Sequence, residues 1–290
     1  MTETRPIQPT TVGAFRFNTD SAKLEYFDGD EYVNITTDSS DANTGGGRAL
    51  FGGGCTSPGG SDDRHVNTID FVNISTTGSA TDFGENINHR GGGGLSDQTR
   101  GIFHSTNGGT NTIHYITMAT TGTVEDFGDN YVAAASGAGL ASPTRGVMAG
   151  GDAPAYTNVI QYLTISTTGN TADFGDLSTL RGYVVGASSA TRGLLMSGYN
   201  PSPGTNMNII QFVTIATSGD ATDFGDLTEA TRHSGGASSC TRAVHSHGYS
   251  FSGDIDYVTI STTGDAVDFG DQSQTRRGMA GCSNAHGGLG

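Results

Sequence analysis

Apolar and polar residues alternate in short runs along most of this chain. Examples are Thr68-Ile-Asp-Phe-Val-Asn-Ile, Ile113-His-Tyr-Ile-Thr-Met, Asn208-Ile-Ile-Gln-Phe-Val-Thr-Ile and Ile255-Asp-Tyr-Val-Thr-Ile, all rich in β-branched and aromatic residues. A period of two places alternate side chains on opposite faces of a pleated strand, so each run is predicted to be half-buried β-structure. No window keeps a 3.6-residue period and Gly interrupts nearly every run, so no helix is predicted. Thr-Thr-Gly or Thr-Ser-Gly follows each run, and Gly78, Gly122, Gly169, Gly219 and Gly264 are expected at positive φ in tight hairpin turns.

The strands belong to a repeat. Asp-Phe-Gly recurs at Asp82, Asp126, Asp173, Asp223 and Asp268, at intervals of 44, 47, 50 and 45 residues, and periods of this size mark propellers and solenoids. A second landmark is an Arg opening an apolar run, at Arg48, Arg100, Arg145, Arg192 and Arg242. From each Asp to the next Arg the spacing is 18, 19, 19 and 19, and from Ile74, Met118, Ile165, Ile215 or Ile260 to its Asp it is always 8. All length variation therefore falls in one loop per unit. The loops run roughly from Cys55 to Val66, Asn107 to Asn111, Gly151 to Thr157, Tyr199 to Met207 and Tyr249 to Gly253.

Four short strands per unit match a propeller blade. The Gly- and Ala-rich fourth strand, such as Val185-Gly-Ala-Ser-Ser, is predicted to lie innermost, where strands crowd and only small side chains fit. Gly278-Met-Ala-Gly-Cys-Ser-Asn carries this innermost pattern after the last Asp-Phe-Gly, while nothing like it precedes Arg48. The expectation is an all-β fold, a five-bladed propeller over residues 44–290, closed when the C-terminal strand completes the first blade and leaves no open edge. Residues 1–43 form a separate piece, a three-stranded module with turns at Thr19-Asp20-Ser21 and Asp28-Gly29-Asp30 followed by a polar linker. So short a module cannot bury enough apolar surface to stand alone, so it is expected to pack on partner subunits or on the propeller.

Composition narrows the function. Gly is 46 of 290 residues, which suits thin strands and tight turns. Net charge is −15 with a single Lys, Lys23, so nucleic-acid binding is not expected. No apolar stretch reaches a membrane span and the N-terminus lacks an apolar leader, so neither membrane insertion nor export by the usual signal is expected. Cys55, Cys240 and Cys282 are odd in number and lack metal-ligand spacing, and are read as free thiols of a protein made in a reducing cytoplasm.

The units resemble kelch-type blades, in which an Arg-containing turn leads to an apolar strand ending in paired Gly, here Gly52-Gly53 and Gly150-Gly151, and an aromatic strand ends the blade. There is no Trp, and the Phe of Asp-Phe-Gly takes the aromatic place. Residues 12–37, with Gly13-Ala-Phe-Arg-Phe-Asn-Thr-Asp20, Lys23-Leu-Glu25 and the Asp28-Gly29 turn, are similar to a short module of bacteriophage tail-fibre and other virion proteins. The Ser-Thr-Thr-Gly to Asp-Phe-Gly-Asp-Leu pattern and the Thr-Arg-Gly-Leu strands likewise resemble virion proteins of marine phages, cyanophages especially. The resemblance implies a virion structural protein, a tail fibre or similar appendage serving assembly and host adhesion. Its partners would be other virion proteins and a host surface glycan or protein, its state a homo-oligomer, by analogy a trimer. A capsid, neck or tail component without host contact, and a glycan-binding lectin or glycan-active enzyme, are the alternatives.

Candidate chemistry is sparse. Asp-Phe-Gly is also a kinase motif, but five copies without a phosphate loop or a His-Arg-Asp loop point to architecture. The Phe is read as a core anchor between blades, and the Asp as a partner of the recurrent Arg. Glu85, Asp129, Asp176, Asp226 and Asp271 follow Asp-Phe-Gly with no calcium-loop signature and are read as turn or surface carboxylates. His245 and His247 share one strand face, yet no third metal ligand is identifiable. No nucleophile elbow or Cys/His couple appears, so no enzymatic activity, metal or cofactor is expected. The variable loops are the best candidates for recognition, since rigid scaffolds carry binding on their loops. Asp62, Asp63, Arg64 and His65, then Tyr156, Tyr199, Asn200, Tyr249 and Phe251, are the candidate contact residues.

Overall fold

A computed structural model describes residues 11–18, 23–34, 47–53, 66–73, 77–85, 93–104, 110–249 and 253–277. The fold is all-β: among the described residues there is no helix, and hence none long and apolar enough to cross a membrane. The chain divides into two compact units, Met1–Gly46 and Gly47–Gly290.

In the first unit β1 (Phe15–Asn18), β2 (Lys23–Phe27) and β3 (Tyr32–Asn34) form an antiparallel meander. The Asp28 carboxylate accepts from the Asp30 and Glu31 backbone N–H groups and closes the second turn. One face holds Arg16, whose Nε donates to Glu25 at 2.7 Å while its guanidinium lies 3.5 Å from the Tyr32 ring centre. The other carries the cross-strand row Phe15, Tyr26 and Val33, exposed by 68%, 36% and 36%.

The second unit is a succession of small antiparallel sheets. The first is β4 (Arg48–Gly52), β5 (Thr68–Asn73) and β6 (Thr81–Glu85), and the second is β7 (Gly93–Ser96), β8 (Arg100–His104), β9 (Thr112–Thr117) and β10 (Glu125–Asp129). The third is β11 (Ala138–Ala141), β12 (Arg145–Gly151), β13 (Thr157–Thr164) and β14 (Ala172–Asp176). The fourth is β15 (Val185–Ser188), β16 (Arg192–Met196), β18 (Thr205–Thr214) and β19 (Thr222–Thr231), with the short β17 (Tyr199–Asn200) also on β18. The fifth is β20 (Gly235–Ser238), β21 (Arg242–Ser246), β22 (Asp254–Thr259) and β23 (Val267–Asp271). The small-residue strand thus pairs with the Arg strand that follows it, and the first sheet has three strands among the described residues. The segment expected to complete it, Gly278 to Asn284, lies outside them.

The same interface joins successive sheets. In every Asp-Phe-Gly strand the register slips at the Phe, so that, for example, Gly175 faces Ile160 and Asp173 faces Gln161 with Phe174 unmatched. This β-bulge takes the Phe carbonyl out of its own ladder. The freed carbonyls of Phe83, Phe127, Phe174 and Phe224 accept the backbone N–H of Gly122, Gly169, Gly219 and Gly264 in the next sheet at 2.7–2.9 Å. The Asp-Phe-Gly glycines sit at φ between 134° and 153°, and a Cβ on Gly175 would lie 2.4 Å from the Gly219 oxygen. Glycine is therefore required in the bulge, whereas the hairpin glycines have open space beside them: Gly169 and Gly264 stand at φ 156° as expected, but Gly78, Gly122 and Gly219 do not have the positive φ expected of them.

The recurrent Arg brackets this interface. Arg48, Arg100, Arg145 and Arg192 donate to the carbonyls of Met118, Ile165, Ile215 and Ile260 in the following sheet at 2.7–2.9 Å. Each guanidinium also lies 4.3–5.0 Å from an aromatic centre of its own sheet, Phe71, Tyr115, Tyr162 or Phe212, which meets the Asp-Phe-Gly Phe edge to face. Among the described residues no Arg of this set pairs with an Asp-Phe-Gly carboxylate, so the expected Arg–Asp pair gives way to a bond across sheets. The four core clusters each lie between neighbouring sheets, and Phe83, Phe127, Phe174 and Phe224 are 2–3% exposed. In the fifth sheet Phe269 is 53% and Val267 54% exposed.

Strands β7, β11, β15 and β20 lie side by side. A Cβ on Gly139 would fall 2.7 Å from the Gly94 oxygen and one on Gly186 2.5 Å from that of Gly139, which is why this strand is built from Gly, Ala and Ser. Ser188 Oγ donates to the Ala141 carbonyl and Ser238 Oγ to that of Ser188, tying three of these strands together.

One polar side chain in the middle strand of each of the last three sheets holds the connection arriving from the previous sheet. Gln161 bonds both backbone groups of Val132, Gln211 accepts from Arg181, and Asp256 accepts from the N–H and hydroxyl of Thr228. Asp256 also bonds buried His247 at 2.8 Å, and the His245 ring stands 5.2 Å from that of His247. Burial, reinforced by His247 and opposed by Asp256, pushes the His245 imidazole down to about 3. The unfolded chain then binds a proton below pH 6.5 that the folded chain refuses, so stability is full above that pH and falls on acidification. His245 alone should cost about 2 kcal/mol between pH 6.5 and 5. Urea midpoints measured across this range should drop, and His245→Leu should flatten the dependence.

Candidate aromatic and cationic site

Strand direction fixes where the loops go. The register Arg192↔Thr214 and Met196↔Ile210 puts the Arg turn and the Gly hairpin at one end of the fourth sheet, and the loop from β16 to β18 at the other. The connection from β19 into β20 emerges at that second end, and the repeat carries this over to the neighbouring sheets. Tyr156, Tyr199 and Tyr249 therefore share an end with the connections that hold Tyr183, Arg232, His233 and Arg277.

Backbone bonds pin these pieces. Tyr199 and Gly182 exchange N–H···O bonds at 2.9 and 3.1 Å, Tyr249 donates to the Arg232 carbonyl at 2.8 Å, and Asp152 donates to that of Ala135 at 2.8 Å. Beneath them Arg181 is fully buried and donates to the carbonyls of Ser197 and Ile209 and to Gln211 Oε1. Burial without a carboxylate partner lowers its guanidinium to about 10. Gly198 lies against its stem, where a Cβ would come within 2.7 Å of Arg181 Cγ.

Three residues here are conformationally unusual. Ser136, Tyr183 and His233 each stand two residues before the small-residue strand of their sheet, with φ of 55°, 59° and 53°. The left-handed region is rare for a bulky Tyr, and residues held there by their surroundings cluster at functional sites. Tyr183 and His233 meet in a tilted arrangement with ring centres 4.1 Å apart, and Tyr249 follows at 6.2 Å from His233. On the other side Tyr156 and Tyr199 are 6.0 Å apart, and the Asp152 carboxylate lies near enough to the Tyr156 and Tyr183 phenols to act on both. The Arg232 guanidinium lies over both Tyr199 and Tyr249, at 4.3 and 4.1 Å from their centres, and Arg277 reaches Tyr249 at 5.5 Å. The rings are half-buried, so each shows a face or an edge to solvent.

Electrostatics follow from this packing. Burial and then Asp152 raise the phenols of Tyr156 and Tyr183, so both stay protonated. Burial and the charges of Arg232 and Arg277 lower the His233 imidazole, leaving it neutral at pH 7. The site is a neutral aromatic surface edged by two guanidiniums, with the Asp152 carboxylate beside the phenols.

Of the sequence-predicted residues, Tyr156, Tyr199 and Tyr249 enter this cluster. Asn200 does not: its Oδ1 accepts from the Ser202 N–H and its carbonyl from Gly204, so it shapes its own loop. Asp62, Asp63, Arg64, His65 and Phe251 lie outside the described residues. Sequence reasoning missed Asp152, Tyr183, Arg232 and His233. Their signal was faint: Arg-Gly-Tyr at 181–183 and Arg-His at 232–233 break the small-residue pattern just before an inner strand. Among the described residues no three potential ligands converge to hold a metal ion, and the backbone N–H groups of Asp129, Asp176 and Asp226 donate to the side-chain oxygens of Asn170, Asp220 and Asp265 of the next sheet.

Arg181→Met would strand three buried acceptors beneath the site, and a loss of about 2–4 kcal/mol is expected. Urea unfolding followed by tyrosine fluorescence, which no Trp obscures, measures it. Neither the known protein-family models nor the curated proteins give a match to this chain.

Proposed function

We propose that this protein is a non-catalytic structural component of a phage particle, a tail fibre or similar appendage, that adheres to the host surface through the loop end of its sheets. The observation that carries the reading is the cluster of Tyr156, Tyr183, Tyr199, Arg232, His233 and Tyr249, aromatic and cationic groups gathered from three sheets and held by backbone bonds on a rigid scaffold. The resemblance of both parts of the chain to virion proteins supports the setting. The exposed row Phe15, Tyr26 and Val33 supports a role for the N-terminal module in attachment to other virion proteins or in a homotrimer. Purified protein should bind marine cyanobacterial cells or their envelope extracts, and the pair Tyr199→Ala and Tyr249→Ala should weaken binding tenfold or more while Thr217→Ala, at the hairpin end, leaves it unchanged. Absence of binding to any host envelope would instead favour a component buried in the particle.

For the architecture we infer a kelch-like ring of five blades closing between the fifth sheet and the first. The uncovered Val267 and Phe269 at one end, and the three-stranded first sheet at the other, are complementary halves of the interface repeated four times between them. By analogy with the pairs Asp129/Asn170, Asp176/Asp220 and Asp226/Asp265, a closed ring would bring Asp271 opposite Ser79. With Cys55, Cys240 and Cys282 replaced by Ser, the pair Ser79→Cys and Asp271→Cys should form a disulfide within one chain. Disulfides only between chains would rule out the ring.

A further inference from the structure

We infer that the fourth and fifth sheets are fastened by an acid-sensitive latch, in which His245, His247 and Asp256 hold residues 228–233, and that its release takes the adhesive site apart. The latch is independent of what the site binds, and its effect on binding rests on the adhesion reading.

The fifth sheet differs from those before it where it faces the fourth. Ala243 belongs to the cluster shared with the fourth sheet, and His245, two residues on, lies on the same strand face. At one level of the repeat the cross-strand pairs are Phe103 with His114, Met148 with Gln161, Leu195 with Gln211, and His245 with Asp256. An apolar side chain therefore fills the place of His245 in the three preceding sheets, and the third and fourth have a neutral amide where the fifth has Asp256. Leu195 packs in one cluster with Leu177 and Val184, whose places in the next interface fall to Leu227 and Ser234. The fold thus needs no ionisable group here. His245, His247 and Asp256 are each 1% exposed, and His247 Nε2 meets the Asp256 carboxylate at 2.8 Å. Among the described residues neither nitrogen of His245 nor Nδ1 of His247 has a hydrogen-bond partner, so a proton added to His245 would meet no acceptor.

The surrounding charges set the direction of the response. His247 on the same strand and Asp256 on β22 act on His245, while β20 presents only Gly, Ala and Ser. Of the ionisable groups nearby, Glu229 and Asp268 are exposed, and Arg232 and His233 turn to the tyrosines. Burial and then His247, opposed by Asp256, hold the His245 imidazole down to about 3. Asp256, raised by burial but lowered more by its bonds with His247 and Thr228, stays below its ordinary value and charged at pH 5. A closed latch therefore refuses a proton that an open one accepts, and opening is favoured about 30-fold on going from pH 7.5 to 5.0. What opens carries the site. Thr228 donates its N–H and hydroxyl to Asp256, Gly248 donates to Thr231 Oγ1 at 3.2 Å, and Tyr249 donates to the Arg232 carbonyl at 2.8 Å. Parting these bonds separates Arg232 and His233 from Tyr249.

Native-state hydrogen exchange on the full chain, corrected for intrinsic rates, tests the latch without a ligand. The amides of Thr228, Gly248 and Tyr249 should open about 30-fold more at pH 5.0 than at pH 7.5, with little dependence on low urea, the mark of a local opening. No rise, or a rise as urea-dependent as global unfolding, would overturn the latch. His245→Leu, the residue at this place in the fourth sheet, should remove that 30-fold and leave only the share of His233, whose imidazole burial and Arg232 also lower. An unchanged rise in the variant would overturn the role of His245. Should the variant fail to fold, His245→Met, as in the third sheet, replaces it, and the exchange of the native chain still decides. Protein bound to host envelope at pH 7.5 should be released at pH 5.0, while His245→Leu protein stays bound. Exchange that rises without release would break the link to the site and leave the latch standing, whereas no binding at pH 7.5 would remove the adhesion reading alone.

Discussion

A β-bulge at the Phe of Asp-Phe-Gly frees, in the first four repeats, a carbonyl that bonds the following sheet, and the body of this protein is assembled on that displacement. Each bond contributes on the order of 1 kcal/mol, and the buried Phe beside it roughly 2–3 kcal/mol. The bond also sets position, because the bulge glycine must let the neighbouring backbone come within contact distance, as at Gly175 and Gly219. With the carbonyl bond at one edge and the Arg bond at the other, neighbouring sheets are fixed at two points, and the apolar clusters fill the space between.

That rigidity accounts for the loop end. Because the connections entering the third, fourth and fifth sheets are tied by Gln161, Gln211 and Asp256, the residues preceding each inner strand are driven into one backbone conformation. At Ser136 that conformation costs little. At Tyr183 and His233 it costs on the order of 1 kcal/mol or more each, sustained by the surrounding bonds, and what it gains is a close ring pair beside Tyr249.

Some features could be read from residues alone, and the reason is local. Alternation in Thr68–Asn73 or Asp254–Thr259 is a direct imprint of the pleat, and the Gly, Ala and Ser of β15 and β20 an imprint of crowding. The constancy of the Asp-to-Arg spacing placed length variation in one loop per unit, and three of the loop tyrosines named from it, Tyr156, Tyr199 and Tyr249, belong to the cluster. The partner of the recurrent Arg was misread because a charge suggests a countercharge in sequence, while in space a carbonyl of the next sheet lay closer. Positive φ was expected at all five hairpin glycines and holds at Gly169 and Gly264, while the constraint at every Asp-Phe-Gly bulge went unread, since a turn is visible in a sequence and a register slip is not.

The amino-acid sequence by itself determined the all-β class, the number of repeats, the anionic character and the absence of helix among the described residues, because these depend on composition and on periods of a few residues. Only the tertiary structure decided which groups meet across repeats. Arg232 lies 33 residues from Tyr199 along the chain and 4.3 Å from its ring in space, and no local pattern carries that information. The distance is set by how one sheet stacks on the next, through bonds whose two ends sit in different repeats and whose geometry depends on the bulges between them.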